Sequence, residues 1–105
     1  MYEFLKGILI EKNAKKVVVE VGSVGYRLLV PFNQLAKLPE LECEVFLYTH
    51  FHQKENEVSL FGFIHEKERN FFEMLIQISG VVPKMAFTLL GHFELKDFLF
   101  VLHQK

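Results

Sequence analysis

The sequence predicts a small antiparallel barrel of five strands followed by a short helical segment, β first and α second. Three observations predict it. Strand-prone runs succeed one another between residues 2 and 63, with turn signals at close spacing. At Ile64 the apolar pattern changes from alternation to the helical repeat. The stretch Ile-Ser-Gly-Val-Val-Pro-Lys-Met-Ala, Ile78 to Ala86, then reads as a tight connection between two helices.

The first strand falls within residues 2–12, and Asn13-Ala14-Lys15-Lys16 makes a polar turn. Lys16 to Val21 is rich in valine and forms the second strand. Gly22-Ser23-Val24-Gly25 is a short connection, Tyr26 to Val30 the third strand, and Pro31 its end. That connection mimics the Gly-x-x-Gly loop of KH domains, but it joins strands rather than helices, so it reads as a turn. Phe32 to Leu38 forms a short helix or turn stopped by Pro39. Val45 to His52 and Val58 to Phe63 supply strands four and five around the charged turn Lys54-Glu55-Asn56-Glu57. A five-stranded OB-type barrel is the preferred reading, and an SH3-like barrel is the alternative.

Past Ile64, Phe71, Phe72, Leu75, Ile76 and Ile78 make one apolar helical face. Met85, Ala86, Leu89 and Leu90 make a second, which Gly91 is expected to stop. A third helix is expected over Glu94 to His103, burying Leu95, Phe98, Leu99 and Leu102. The organisation is a barrel over 1–64 and a helical part over 65–105. Some forty residues are thin for an independent domain, so the helical faces need the barrel, a partner subunit or further chain.

Bulk properties narrow the class. Half the 105 residues are hydrophobic and 24% are charged, as in a folded globular chain. The single Cys43 excludes an internal disulfide and suits a reducing compartment. Met1 to Lys6 lacks the apolar core of a signal peptide, and no apolar run approaches membrane-spanning length. A soluble, cytoplasmic protein without a membrane partner is expected. The net charge of −1 is neutral evidence on nucleic acid.

The functional expectation centres on the helix connection. Gly80 suits a helix end where positive φ is needed, and Pro83 suits a first helical position because it has no N–H to leave unbonded. A tight turn feeding a helix start points several N–H groups outward with the helix dipole behind them, which favours phosphate. Lys84 adds a mobile positive charge. Read without this chemistry, the same stretch is an ordinary helical corner.

Other constellations carry less. His50 and His52 share a strand face near Glu55, Glu57 and His65, yet no spacing fits a zinc motif. No metal, cofactor or catalytic residue is therefore expected, and a metal hydrolase reading is disfavoured. Phe46, Tyr48, Phe51, Phe61 and Phe63 could stack on bases. Strand alternation instead predicts burial for most of them. Cys43 has no nearby basic partner and is not proposed as a nucleophile.

The chain resembles the N-terminal half of the RuvA family, the Holliday-junction-binding subunits of the bacterial branch-migration machine. The resemblance rests on Val19 to Tyr26, Tyr48-Thr49-His50-Phe51, Leu60-Phe61-Gly62-Phe63, Glu68 to Phe72 and Ser79 to Lys84, in that order and spacing. It implies an OB-type barrel, then helix-hairpin-helix motifs that hold phosphates through hairpin N–H groups. It also implies a non-catalytic subunit acting in recombination and DNA repair, assembled as a tetramer or a doubled tetramer on a four-way junction. The partner would be the RuvB motor, reached through a C-terminal domain that this sequence does not include. By resemblance, the DNA-binding residues are Ser79, Gly80, Val81 and Lys84, and the acidic pin is Glu55, Asn56 and Glu57. A pin carboxylate would act by repelling phosphate at the crossover.

The sequence departs from the family at three places. Val82 stands where a second glycine usually precedes Pro-Lys. Asn56 stands where a second acid is common. The sequence ends at Lys105, before the second hairpin and the RuvB-binding domain that the family carries. The alternative function is an oligomerisation module of the same complex without DNA binding of its own.

Overall fold

The structure, a computed structural model, describes residues 1–94. Five strands form one antiparallel sheet: β1 Phe4–Lys12, β2 Val17–Val21, β3 Val24–Leu28, β4 Glu44–Lys54 and β5 Glu57–Phe63. Their spatial order is β3-β2-β1-β4-β5. A short helix, α1 Phe32–Leu35, sits between β3 and β4. Helices α2 Glu66–Leu75 and α3 Pro83–His92 follow the sheet. The expected third helix, with Leu95, Phe98, Leu99 and Leu102, lies outside the described residues.

The sheet curls until its two edges meet, but they meet at one place only. Leu29 bridges Phe61 in parallel, its N–H donating to Leu60 O at 2.9 Å while Gly62 N–H donates to Leu29 O at 2.8 Å. The result is a partly open five-stranded barrel of the expected OB type. Closure requires strong coiling, and two features of β1 supply it. Gly7 lies against the Glu20 carbonyl, where a Cβ would overlap the neighbouring backbone. Ile10 is an extra residue in the ladder, since Leu9 pairs with Val19 and Glu11 already with Val18. Such a bulge bends its strand and sharpens the twist.

Two cores lie on opposite faces of the same strands. Leu5, Leu9, Val17, Val19, Leu28, Val45 and Leu47 fill the barrel interior. Gly62 faces this interior as well, and a Cβ there would come within 2.9 Å of Leu28 Cδ2. Its neighbours Phe61 and Phe63 therefore point outward, where α2 and α3 cover them with Phe72, Ala86 and Leu90. Phe72 is fully buried, with ring centroids 4.9 Å from Phe61, 5.2 Å from Phe63 and 5.5 Å from His50. A Phe72→Ala change would cost about 3–5 kcal/mol by the usual large-to-small core penalty.

Polar contacts fix the same seat. Arg69 on α2 is buried at 5% exposure. Its guanidinium donates to Glu3 O at 2.9 Å, pairs with the Glu3 carboxylate at 3.1 Å and with Glu66 at 3.3 Å, and lies 5.7 Å from the Tyr48 ring centroid. His50 Nδ1 on β4 meets Glu73 of α2 at 2.7 Å. Gln34 of α1 accepts the Ile64 N–H at 2.8 Å, tying the end of the sheet to the first helix.

The structure corrects several sequence expectations. The third strand begins at Val24 and ends at Leu28, because Gly22, at φ +62°, turns the chain within two residues. Gly91 does not stop α3, which continues to His92. Gly91 is buried where α3 crosses α1, and a Cβ would lie 3.1 Å from the Phe32 nitrogen. Ile78 and Met85 are exposed rather than part of the buried faces. Of the five strand aromatics, Phe61 and Phe63 are buried, while Tyr48 and Phe51 are half-buried and Phe46 is exposed. The phenylalanines of β5 have a helix layer above them, whereas Phe46 stacks on Phe4 at 4.7 Å on an uncovered stretch of sheet.

Glu68, beside this seat, is 7% exposed, and one of its oxygens has no hydrogen-bond partner. Burial raises its pKa above the ordinary 4.5, although His65 and Lys37 partly oppose the shift. A raised folded pKa means that Glu68 favours the folded state below the unfolded value and loses that contribution as pH rises. Glu68→Gln should therefore stabilise the protein at pH 7 in urea denaturation. The gain should shrink as pH falls below 4.5. An equal gain at both pH values would contradict this assignment.

Candidate nucleic-acid interface

The α2–α3 connection is built by local chemistry. After Leu75 the chain tightens, with Ile78 N–H donating to Leu75 O at 3.1 Å and Val81 N–H to Ile78 O at 3.0 Å. Gly80 takes φ +88°, a conformation costly for any residue with a Cβ. Val82 is the N-cap of α3 at φ −94°, ψ 156°, and Pro83 occupies the first turn. The extended geometry is what a following proline imposes, and valine adopts it without strain. Val82 in place of glycine therefore leaves the backbone path of the turn intact. What it adds is an apolar side chain, 54% exposed.

Ser79, Gly80 and Lys84 are exposed and Val81 is half-buried. Among the described residues, the N–H groups of Gly80, Val82 and Lys84 find no acceptor, whereas Met85 and Ala86 donate back to Val82 O. The Lys84 ammonium forms no ion pair among the described residues. Unbonded N–H groups at the start of a ten-residue helix, with one free lysine, make an anion-favouring corner.

The β4–β5 connection is a two-residue turn, Glu55 and Asn56, closed by the Lys54–Glu57 pair. All four residues are exposed. Glu55 adopts φ +52°, where glycine or asparagine is the ordinary choice. An acidic side chain is thus held at the outermost point of the hairpin against backbone preference.

The structure brings these two sites to one groove. A cavity of about 500 Å³ runs between the hairpin and the start of α3. His52, Lys54 and Glu57 stand on one wall, and Val82, Lys84 and Phe87 on the other. Of the residues expected from the sequence, Glu57 and Lys84 share this groove. Ser79, Gly80 and Val81 lie on the turn leading to it, and Glu55 and Asn56 at the tip beyond it. Phe87 and Thr88 line it without any sequence signal, and Lys54 is legible only as part of the charged turn, because the groove is made by elements about thirty residues apart.

His50 is paired with Glu73, and its ring lies 6.5 Å from that of His52. Among the described residues, no group of three or more His, Cys, Asp or Glu is placed to hold a metal ion. No helix in the described residues is long and apolar enough to cross a membrane.

A curled five-stranded barrel bearing two helices on its outer face, with a phosphate-compatible turn beside a charged hairpin, defines a class of small OB-barrel proteins, β first and α second. The family model described as the RuvA N-terminal domain matches residues 1–62, and the chain belongs to that family. Similar curated proteins include those of Shewanella amazonensis and Shewanella denitrificans, each 46% identical over 95 residues, and of Histophilus somni, 39% identical over 99. All three are named Holliday junction branch migration complex subunit RuvA. The matches cover 90–94% of this chain but 46–48% of each relative. The chain thus spans just under half the length of these relatives.

The Glu55 conformation yields a direct expectation. Glu55→Asn relieves left-handed strain and should raise unfolding free energy by about 1 kcal/mol. Urea denaturation measures this. A loss of stability would contradict the strain assignment.

Proposed function

We propose that this chain is the junction-facing portion of a RuvA-type subunit, a non-catalytic protein that recognises four-way DNA junctions by shape and phosphate contact. One observation carries the proposal: the unbonded N–H groups and free Lys84 of the α3 start share a groove with Glu57 of the acidic hairpin. Phosphate contacts at the helix start position the DNA without reading its sequence. Glu55 and Glu57 repel phosphate, keeping duplex away from the tip while arms bind beside it. Asn56 adds hydrogen-bonding capacity but no charge. In this reading residues 1–64 form the barrel domain and 65–105 belong to a partial helix-hairpin-helix DNA-binding domain.

The same proposal includes assembly into a tetramer around the junction, or two stacked tetramers, and service to a RuvB-type motor. The uncovered sheet face supports assembly. Phe4 and Phe46 are 49% and 40% exposed, and Tyr48 joins them at 5.0 Å, an apolar cluster suited to subunit contact.

Junction and linear duplex should be compared by mobility shift at several salt concentrations. Junction is expected to bind preferentially, with affinity falling steeply as salt rises. Lys84→Ala should weaken junction binding roughly tenfold at low salt and reduce the salt slope by about one. No preference for junction, or an unchanged slope in the variant, overturns the proposal. A tetramer in native mass spectrometry without DNA affinity would favour the oligomerisation-module alternative instead.

A further inference from the structure

The groove between β5 and α3 has more in it than a phosphate corner needs. Leu29, Phe61 and Phe87 form an apolar floor, and the Phe61 and Phe87 ring centroids stand 5.4 Å apart. Ser59 and Thr88 line the walls, the Thr88 hydroxyl donating to Lys84 O at 2.9 Å. Lys54 and Lys84 flank the groove from different elements, and neither is engaged in an ion pair among the described residues. Its volume, about 500 Å³, lies in the range of roughly 300–1,000 Å³ typical of small-molecule sites. An apolar slot with hydroxyls inside and cations outside matches a flat heteroaromatic ring attached to a phosphate.

We infer that this groove holds a single unstacked nucleotide of a DNA strand, the base against the Phe61–Phe87 floor and the phosphate between Lys54 and Lys84. The inference rests on the proposed DNA-binding role for the source of the nucleotide, but not for the site itself. Charge selects the occupant. Two lysines face one carboxylate, Glu57, so the groove favours an anionic ligand over a neutral or cationic one. Glu57 sits where it can accept from a base amino group while turning a second phosphate away. The apolar floor separates the site from a simple anion contact, which would need only the N–H groups and Lys84.

The test is NMR titration of the intact chain with 2′-deoxycytidine 5′-monophosphate, with inorganic phosphate in a parallel arm. The nucleotide should shift the Ser59, Phe87 and Thr88 amides together, and phosphate should shift only Lys54 and residues near Gly80 to Lys84. Thr88→Phe fills the slot from an exposed position and should weaken nucleotide binding roughly tenfold while leaving the phosphate response intact. Lys54→Gln, at an exposed strand end, should weaken it several-fold by charge alone. Identical responses to nucleotide and phosphate, or no response at Ser59, Phe87 and Thr88, overturn the inference. A junction preference without groove shifts removes the nucleotide site alone. Groove shifts without junction binding support the site and remove the junction role.

Discussion

Everything in the helical half depends on the seat of α2 against the outer face of β4 and β5. Phe72 supplies the apolar part, wedged among Phe61, Phe63 and the His50 ring. Arg69 supplies the polar part, reaching from the helix to the Glu3 carbonyl beside the β4 edge. The two act one turn apart on the same helical face. A buried guanidinium needs several acceptors at once, so it tolerates little rotation of the helix. That restriction carries along the chain to the α2–α3 turn and to α3, whose first turn forms one wall of the groove. The barrel thus works as a platform, and the distance between the acidic hairpin and the helix start is set by packing some residues away from both.

The two faces of β5 explain why the platform can do this. Gly62 leaves room for Leu28 inside the barrel, while Phe61 and Phe63 present themselves to the helices. One strand therefore belongs to both cores. Gly91 has the matching role in α3, allowing close approach to Phe32 on α1. Each glycine is needed for contact with a distant element, and this is why neither purpose was legible in the sequence. Gly91 reads there as a helix stop, which is the usual meaning of glycine near a helix end. By contrast, Gly80 and Pro83 serve their own turn, and local rules placed both correctly.

The same division runs through the rest of the chain. The strand count, the change to helical spacing and the turn between α2 and α3 are written in neighbouring residues. Burial of the strand aromatics is not, because the cover over Phe61 comes from α2 and α3 and nothing comparable covers Phe46. Glu68 and Arg69 lie in a charged run at the start of α2, yet both are buried, Arg69 against Glu3 and Thr49 and Glu68 near Lys37. Ser79 to Lys84 and Glu55 to Glu57 were visible as separate candidates. Their shared groove was not, since it exists only once β5 and α3 are side by side. Val82 illustrates the reverse case: its departure from glycine matters less than composition suggests, because Pro83 already dictates an extended backbone.

The seat itself is open to direct measurement by amide hydrogen exchange on Arg69→Met, which keeps the bulk of the side chain and removes its donors. Loss of its charge-assisted hydrogen bonds costs about 1.5–3 kcal/mol, enough to loosen a docked helix while a separate core persists. The α2 and α3 amides should then exchange much faster, the β1 and β2 amides should stay protected, and junction binding should fall with the helices. Wild-type protection in α2 and α3 would show that Arg69 does not hold the helical layer, contradicting the central claim that this seat positions the groove.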